Sequence, residues 1–302
     1  MRILIIGDQG QVAFELQRTL APLGTVLSLG RNTAPKLDLE DNDSLVEALR
    51  TFEPHLIVNA AAYTAVDRAE TEPDKANRIN GEAIGVLVEE AKRLSAGIVH
   101  YSTDYVFSGD KAAPYTEEDP VSPLGVYGSS KLLGEQILQE SGLPHLIFRT
   151  SWVYGLRGQN FLLTMLRLMQ ERETLGIVDD QMGAPTWSRI IAEVTALSII
   201  QCTQGTVFDP QEKSGLYHLS AGGETSWFGF AKHIQSIALE DAQLKAPLAS
   251  LRPIPTSEYP TPARRPAYSV LSNRKIEQTF GLRLPEWSIS LKQCLSEIES
   301  KR

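Results

Sequence analysis

Ile3-Leu4-Ile5-Ile6-Gly7-Asp8-Gln9-Gly10-Gln11-Val12-Ala13 joins a continuous apolar run to a two-glycine turn and then to a helical pattern. A short apolar run of this kind predicts a strand covered on both faces. Gly7, Gly10, Gln11 and Val12 fall in a Gly-x-x-Gly-x-x-Ala turn. Set between a strand and a helix N-terminus, such a turn points backbone amides at the pyrophosphate of a dinucleotide. Tight strand-to-helix turns also use glycine for purely steric reasons, so the motif counts only with its surroundings. Ala13 stands where a third glycine is frequent.

Working outward, further β-branched runs at Thr25 to Leu29, His55 to Asn59, Gly97 to Ser102 and His145 to Arg149 read as strands. Helical periodicity lies between them, at Phe14 to Leu20, Ser44 to Phe52, Asp74 to Leu94 and Ser130 to Gln139. Repeated β-α units predict an α/β fold with a doubly wound parallel sheet, the Rossmann architecture. After Trp152 the pattern changes to a helix near 160–171, a strand near 175–178, a helix near 188–200 and one more strand at Tyr217 to Leu219. A tail with five prolines between Pro253 and Pro266 follows, with helical pattern resuming near Lys275 and Leu291. The expected division is a dinucleotide-binding domain over 1–150, with a returning segment around 175–222, and a smaller substrate domain over 151–174 and 223–302.

The chain has 302 residues, with 29 Lys and Arg against 37 Asp and Glu, a net charge of -8 that disfavours nucleic acid as a partner. Two distant cysteines, Cys202 and Cys294, indicate neither a disulfide framework nor a zinc site. No apolar run reaches the roughly 20 residues that span a bilayer, and the N-terminal run is too short for a signal sequence. The expected location is the cytoplasm, with no membrane partner. The five histidines are scattered, so no metal site is expected and each reads as a structural histidine.

About 20 residues past the turn, where an acid commonly holds the adenosine ribose of NAD, the chain has Gly30-Arg31. Arg31 suits a 2′-phosphate, so the expected cofactor is NADPH, with NADH as the alternative. Asp38 is read either as an adenine contact or as the cap of the helix starting near Asp43. Tyr127 and Lys131 are four apart, hence on one helical face. The ammonium is expected to depress the phenol pKa and make Tyr127 a better acid toward a carbonyl oxygen receiving hydride. Upstream, Tyr101-Ser102-Thr103-Asp104-Tyr105-Val106-Phe107 starts at a strand end, and the Thr103 hydroxyl is placed to bond a sugar carbonyl or alkoxide. Capping or turn formation is the plain alternative for Thr103 and Asp104.

These runs, with VNAAAYTAVDRAE from Val58, VYGSSKLLGE from Val126, FRTSWVYG from Phe148, DDQMGAPT from Asp179, LYHLSAGG from Leu216 and YPTPARRP from Tyr259, resemble the dTDP-4-dehydrorhamnose reductase family of extended short-chain dehydrogenases/reductases. The resemblance covers nearly the whole chain. It implies reduction of the C4 ketone of a dTDP-4-dehydro-sugar, with Tyr127 as proton donor, Lys131 as its partner and ribose ligand, and Thr103 as the third member. It further implies that Leu39, Ala61, Ala62, Tyr63 and Tyr101 join the cofactor set. Val66, Asp104, Tyr105 and Trp152 are then expected near the sugar, and Arg264 and Arg265 near its pyrophosphate. A tryptophan there also reads as a core aromatic under a hinge, and the arginines as an exposed basic pair. Some members are dimers bridged by magnesium; Glu15 and Glu297 remain here, but Arg189 stands at another ligand position, so no structural magnesium and at most a weak homodimer are expected. The alternatives are a catalytically silent NADP-binding regulatory subunit, disfavoured by the intact Tyr/Lys pair, and an epimerase or dehydratase on the same scaffold.

Overall fold

The computed structural model describes residues 1–240 and 247–299. Strands β1 (Arg2–Ile6), β2 (Thr25–Leu29), β3 (Leu56–Asn59), β4 (Gly97–Thr103) and β5 (His145–Thr150) alternate with helices α1 (Gln11–Leu20), α2 (Asn42–Phe52), α3 (Ala83–Leu94) and α4 (Val126–Glu140). Beyond them come α5 (Phe161–Glu171), β6 (Thr174–Val178), α6 (Ser188–Gln201), β7 (Gly215–His218), α7 (Trp227–Glu240), β8 (Ser250–Ile254), α8 (Arg274–Phe280) and α9 (Trp287–Glu299). Six strands form one parallel sheet in the order β7-β5-β4-β3-β1-β2. The order turns back between β1 and β3, the place where open α/β sheets form a crevice at their strand ends.

Strand periodicity of two explains how both faces are filled. Ile3, Ile5, Leu56, Val58, Val99, Tyr101, Leu146 and Phe148 pack on one side with α1, α6 and α8. Leu4, Ile6, Ile57, Ile98 and Ile147 pack on the other with α2, α3 and α4. A third apolar cluster, around Tyr154, Met169, Phe230, Ile234 and Leu291, joins α5, α7 and α9 away from the sheet. Strand β6 belongs with that cluster, pairing in parallel with β8, while α6 and β7 return to the main sheet.

Several boundaries differ from the sequence reading. The long helix expected over Asp74 to Leu94 is broken into Pro73–Asn77, a π-helical turn at Arg78–Glu82 and α3. Within the π turn, Asn80 bonds both the Tyr63 backbone (2.8 and 3.0 Å) and Ser130 Oγ (3.0 Å). Helix α4 starts at Val126, not Ser130, because the Glu70 carboxylate accepts the Val126 N–H at 2.9 Å and caps it. Helix α7 and strand β8 went unread. Asp41, not Asp38, caps α2, accepting from the N–H groups of Asp43 and Ser44.

Arg189 of α6 bonds Glu15 of α1 at 3.2 Å and also pairs with Glu297 of α9. Its guanidinium thus lies between the two carboxylates. Among the described residues no helix is long and apolar enough to cross a membrane, and no cluster of three or more His, Cys, Asp or Glu is arranged to hold a metal. Cys202 and Cys294 are both buried thiols.

Candidate active site

Strand β1 delivers Gly7 to the crevice with φ of +114°, a conformation L side chains rarely adopt. A Cβ there would also lie a tight 3.3 Å from Ala13 Cβ and 3.4 Å from the Ala60 carbonyl carbon, so the backbone conformation is the main reason for glycine. Helix α1 follows with Gly10 as its cap residue and no side chain capping its first amides. Its first-turn N–H groups are therefore left to an anion from outside the helix. The cleft in front has a volume of about 700 Å³. Gly7, Gly10, Gln11, Val12, Arg31, Asp38, Leu39, Ala61, Ala62, Tyr63, Tyr101, Tyr127 and Lys131 all line it. Uncapped amides, a glycine in a conformation that larger residues rarely adopt and small side chains at Ala60 to Ala62 make a groove that fits a dinucleotide.

Arg31 is exposed at the rim. Asp38 makes an ion pair with Lys36 at 3.0 Å and accepts the Glu40 N–H. Burial works against its charge, but Lys36, the Glu40 amide and Arg31 together hold its carboxyl below the usual value.

Tyr127 and Lys131 lie one turn apart on α4, which packs tightly at Gly128 against the turn that follows β4: a Cβ there would overlap the Tyr105 carbonyl. Thr103 ends β4, donating to Asp104 Oδ1 at 3.1 Å and accepting the Tyr105 N–H at 3.2 Å. It therefore caps the short turn Asp104–Val106 while also serving as a hydrogen-bond neighbour of the Tyr127 phenol. Burial pushes that phenol up to about 12, partly offset by Thr103 and reinforced by the Asp104 charge. The expected depression by Lys131 does not occur: the Lys131 Nζ meets Nε2 of His100 at 3.2 Å instead. Burial brings Lys131 down to about 8, with Glu135 opposing. Glu135 is itself held by Arg149 at 2.6 and 2.9 Å in a fully buried pair. Burial likewise raises Asp104 to about 6, and its Oδ2 has no hydrogen-bond partner.

Beyond Tyr127 the site is built from side chains far apart in sequence. The Tyr105 ring meets the Tyr127 ring edge-on, 5.6 Å between centroids. Arg265 donates to Asp67 at 2.9 Å and neighbours the Tyr105 hydroxyl, and Val66 opens the short helix that carries Asp67. Trp152 has φ of +46° and stacks flat on Trp227, ring centroids 3.5 Å apart. Trp227 is fixed in turn by its Nε1–H to Gln181 at 3.2 Å, and a Cβ at Gly183 would overlap the Trp152 indole. Arg264, in contrast, is exposed, and among the described residues no hydrogen bond or ion pair holds it to this group.

The sequence reading missed Trp227, Asp67, and the pairing of His100 with Asn59. For His100 a signal existed: His100 has the parity of Ile98, which faces the α4 side of the sheet. For Trp227 there was none, because its helix was not recognised.

The profile of the RmlD substrate binding domain matches residues 1–300. A dTDP-4-dehydrorhamnose reductase of Burkholderia thailandensis is 48% identical over 303 residues, covering 100% of both chains. Among solved structures, a dTDP-4-dehydrorhamnose reductase from Clostridium acetobutylicum superposes with a TM-score of 0.88 at 34% identity, covering 99% of this chain and 100% of its own. A second, from Bacillus anthracis in complex with NADP, gives 0.87 at 34% identity over 98% of this chain and 99% of its own. Matched from end to end in both sequence and fold, the chain belongs to the dTDP-4-dehydrorhamnose reductase family of extended short-chain dehydrogenases/reductases.

Proposed function

We propose that this protein reduces the C4 ketone of dTDP-4-dehydro-β-L-rhamnose to dTDP-β-L-rhamnose, using NADPH in preference and NADH as an alternative. The observation that carries the reading is the meeting of Tyr127, Lys131 and Thr103 beside a cleft that opens on the uncapped start of α1. The nicotinamide cofactor, when bound, supplies the hydride that C4 accepts.

The chain supplies the rest. The turn from Gly7 to Val12 holds the pyrophosphate with backbone N–H groups, while Ala61, Ala62 and Tyr63 form the opposing wall. Leu39 and Asp38 border the adenine end; Arg31 supports a 2′-phosphate, and Asp38, already paired with Lys36, leaves a ribose hydroxyl acceptable. Tyr101, bonded through its hydroxyl to Thr195 at 2.8 Å, walls the cleft from the far face of β4. Tyr127 keeps its proton across the physiological range and delivers it to the C4 oxygen. Thr103 orients that oxygen. Trp152 offers the sugar an indole face, Asp104, Tyr105 and Val66 surround it, and Arg265 meets the diphosphate. The substrate side is thereby assigned to 151–174 and 223–302, and the cofactor side to 1–150 with the returning α6 and β7.

NADPH oxidation in the presence of dTDP-4-dehydrorhamnose tests the reading. Stoichiometric oxidation by the wild type, lost in Tyr127→Phe, supports it; cofactor binding without oxidation overturns it in favour of a regulatory binder.

A further inference from the structure

Lys131 is 2% exposed, and among the described residues no carboxylate lies within ion-pair distance of it. Its partner is an imidazole. His100, 1% exposed on β4, offers Nε2 to Lys131 at 3.2 Å and Nδ1 to Asn59 Nδ2 at 3.1 Å. The Asn59 side-chain oxygen accepts the backbone N–H of Ala61, in the cleft wall, at 3.3 Å. That last bond turns the Asn59 amide nitrogen toward the histidine.

Donors and acceptors then decide the protonation states. An ammonium at Lys131 only donates, so Nε2 must carry a lone pair and the ring proton must sit on Nδ1, facing the Asn59 N–H. Two donors would oppose each other in a buried site, at the cost of an unmade hydrogen bond. An amine at Lys131 removes the conflict: Nε2–H donates to Nζ, and Nδ1 accepts from Asn59. Burial acts in the same direction, lowering Lys131 to about 8 and keeping His100 uncharged.

We propose that His100, anchored by Asn59, is a positioning residue for Lys131 that pins the Nζ atom in the cleft floor and favours its release of a proton. The inference rests on the reductase reading and deepens it. After Tyr127 has given its proton to the sugar oxygen, Lys131 returns one to the phenolate, becomes the amine that His100 stabilises, and is reprotonated from water. The charged and titratable groups around Lys131 are His100 from β4, Glu135 on its own helix, Arg149 from β5, which neutralises Glu135, and Tyr127, one helical turn away in the same cleft lining. Asp104, after β4, acts on Tyr127, and Glu70 is spent on capping α4.

The test is an NMR titration of the unloaded protein labelled with ε-13C lysine, the Lys131 signal being identified by its loss in Lys131→Arg. The wild-type midpoint is expected near 8, against 10.5 for an ordinary lysine. His100→Gln places an amide oxygen against the ammonium, and Asn59→Asp accepts the Nδ1 proton and frees Nε2. Each should raise the midpoint by about one unit and shift the alkaline limb of kcat with it. Midpoints unchanged in either folded variant, or a wild-type midpoint in the ordinary lysine range, overturn the proposal. A merely structural histidine would lower the melting temperature and leave the midpoint in place. Because the titration needs no substrate, a moving midpoint in a protein that oxidises no NADPH would instead condemn the reductase reading.

Discussion

The proposed cofactor end and the proposed sugar end of the site are made in different ways. At the cofactor end the backbone does the work: a glycine in a conformation that other residues rarely adopt, uncapped helix amides and three alanines. At the sugar end the surface is side chains from five separate stretches, with Tyr105, Asp67 beside Arg265, and Trp152 against Trp227. A backbone-built site tolerates change at most of its side chains, whereas a site of stacked and paired side chains loses function piecewise. Mutations should therefore separate the two ends by which constant they alter.

The boundary between the ends should give the largest effect. Tyr127→Phe is expected to lower kcat by about 10³-fold, within the range for removing a general acid, while cofactor affinity measured by fluorescence titration stays near wild type. A large loss of cofactor affinity in this variant would erase the distinction between the ends.

Asp104 sharpens the contrast through pH. Its folded value of about 6 lies above the ordinary 3.8, so the buried charge weakens the folded state at neutral pH. That stability is fully present below 3.8 and is lost as pH rises through about 6. Relative to Asp104→Asn, which cannot titrate, the wild type should gain about 2–3 kcal/mol between about pH 7 and about pH 4 in denaturant titrations. A constant difference across that range would show that Asp104 is solvated in the folded protein.

Trp227→Leu should raise the KM for the sugar substrate about tenfold, since the stack that holds the Trp152 indole is lost, with NADPH binding unchanged. Arg31→Ala carries the smallest expected effect: the KM for NADPH rises about fivefold and that for NADH stays level, because the guanidinium sits exposed at the rim. Equal changes for both cofactors would remove Arg31 from the choice between them.

The same contrast governs what the sequence made legible. Alternating strands and helices, the turn at Gly7 and the Tyr127/Lys131 spacing are local patterns, each contained within one or two elements, and they suffice for the sheet and for the residues that line the cleft beside it. Trp227 meets Trp152 only after the chain has folded through α5, β6 and α6, and no local pattern records that meeting. Helix α7 was missed because Trp227-Phe228-Gly229-Phe230-Ala231 opens it with apolar residues and a glycine, blurring its polar face. Electrostatics were misjudged for a related reason. Spacing puts Lys131 on the face of Tyr127, but it cannot show that His100 takes the ammonium's hydrogen bond or that burial dominates the phenol. The pair Arg264-Arg265 divides likewise: adjacent residues, one tied to Asp67 and one in solvent.

Arg189 has a mechanical consequence. By gripping Glu15 of α1 and Glu297 of α9 at once, it fastens the last described helix to the first. Any displacement of α9 relative to α1 must therefore break one of these pairs. The Gly7–Val12 turn at the head of α1 and the outer helix α9 are thus coupled through one guanidinium, so a charge change at position 189 is felt at both.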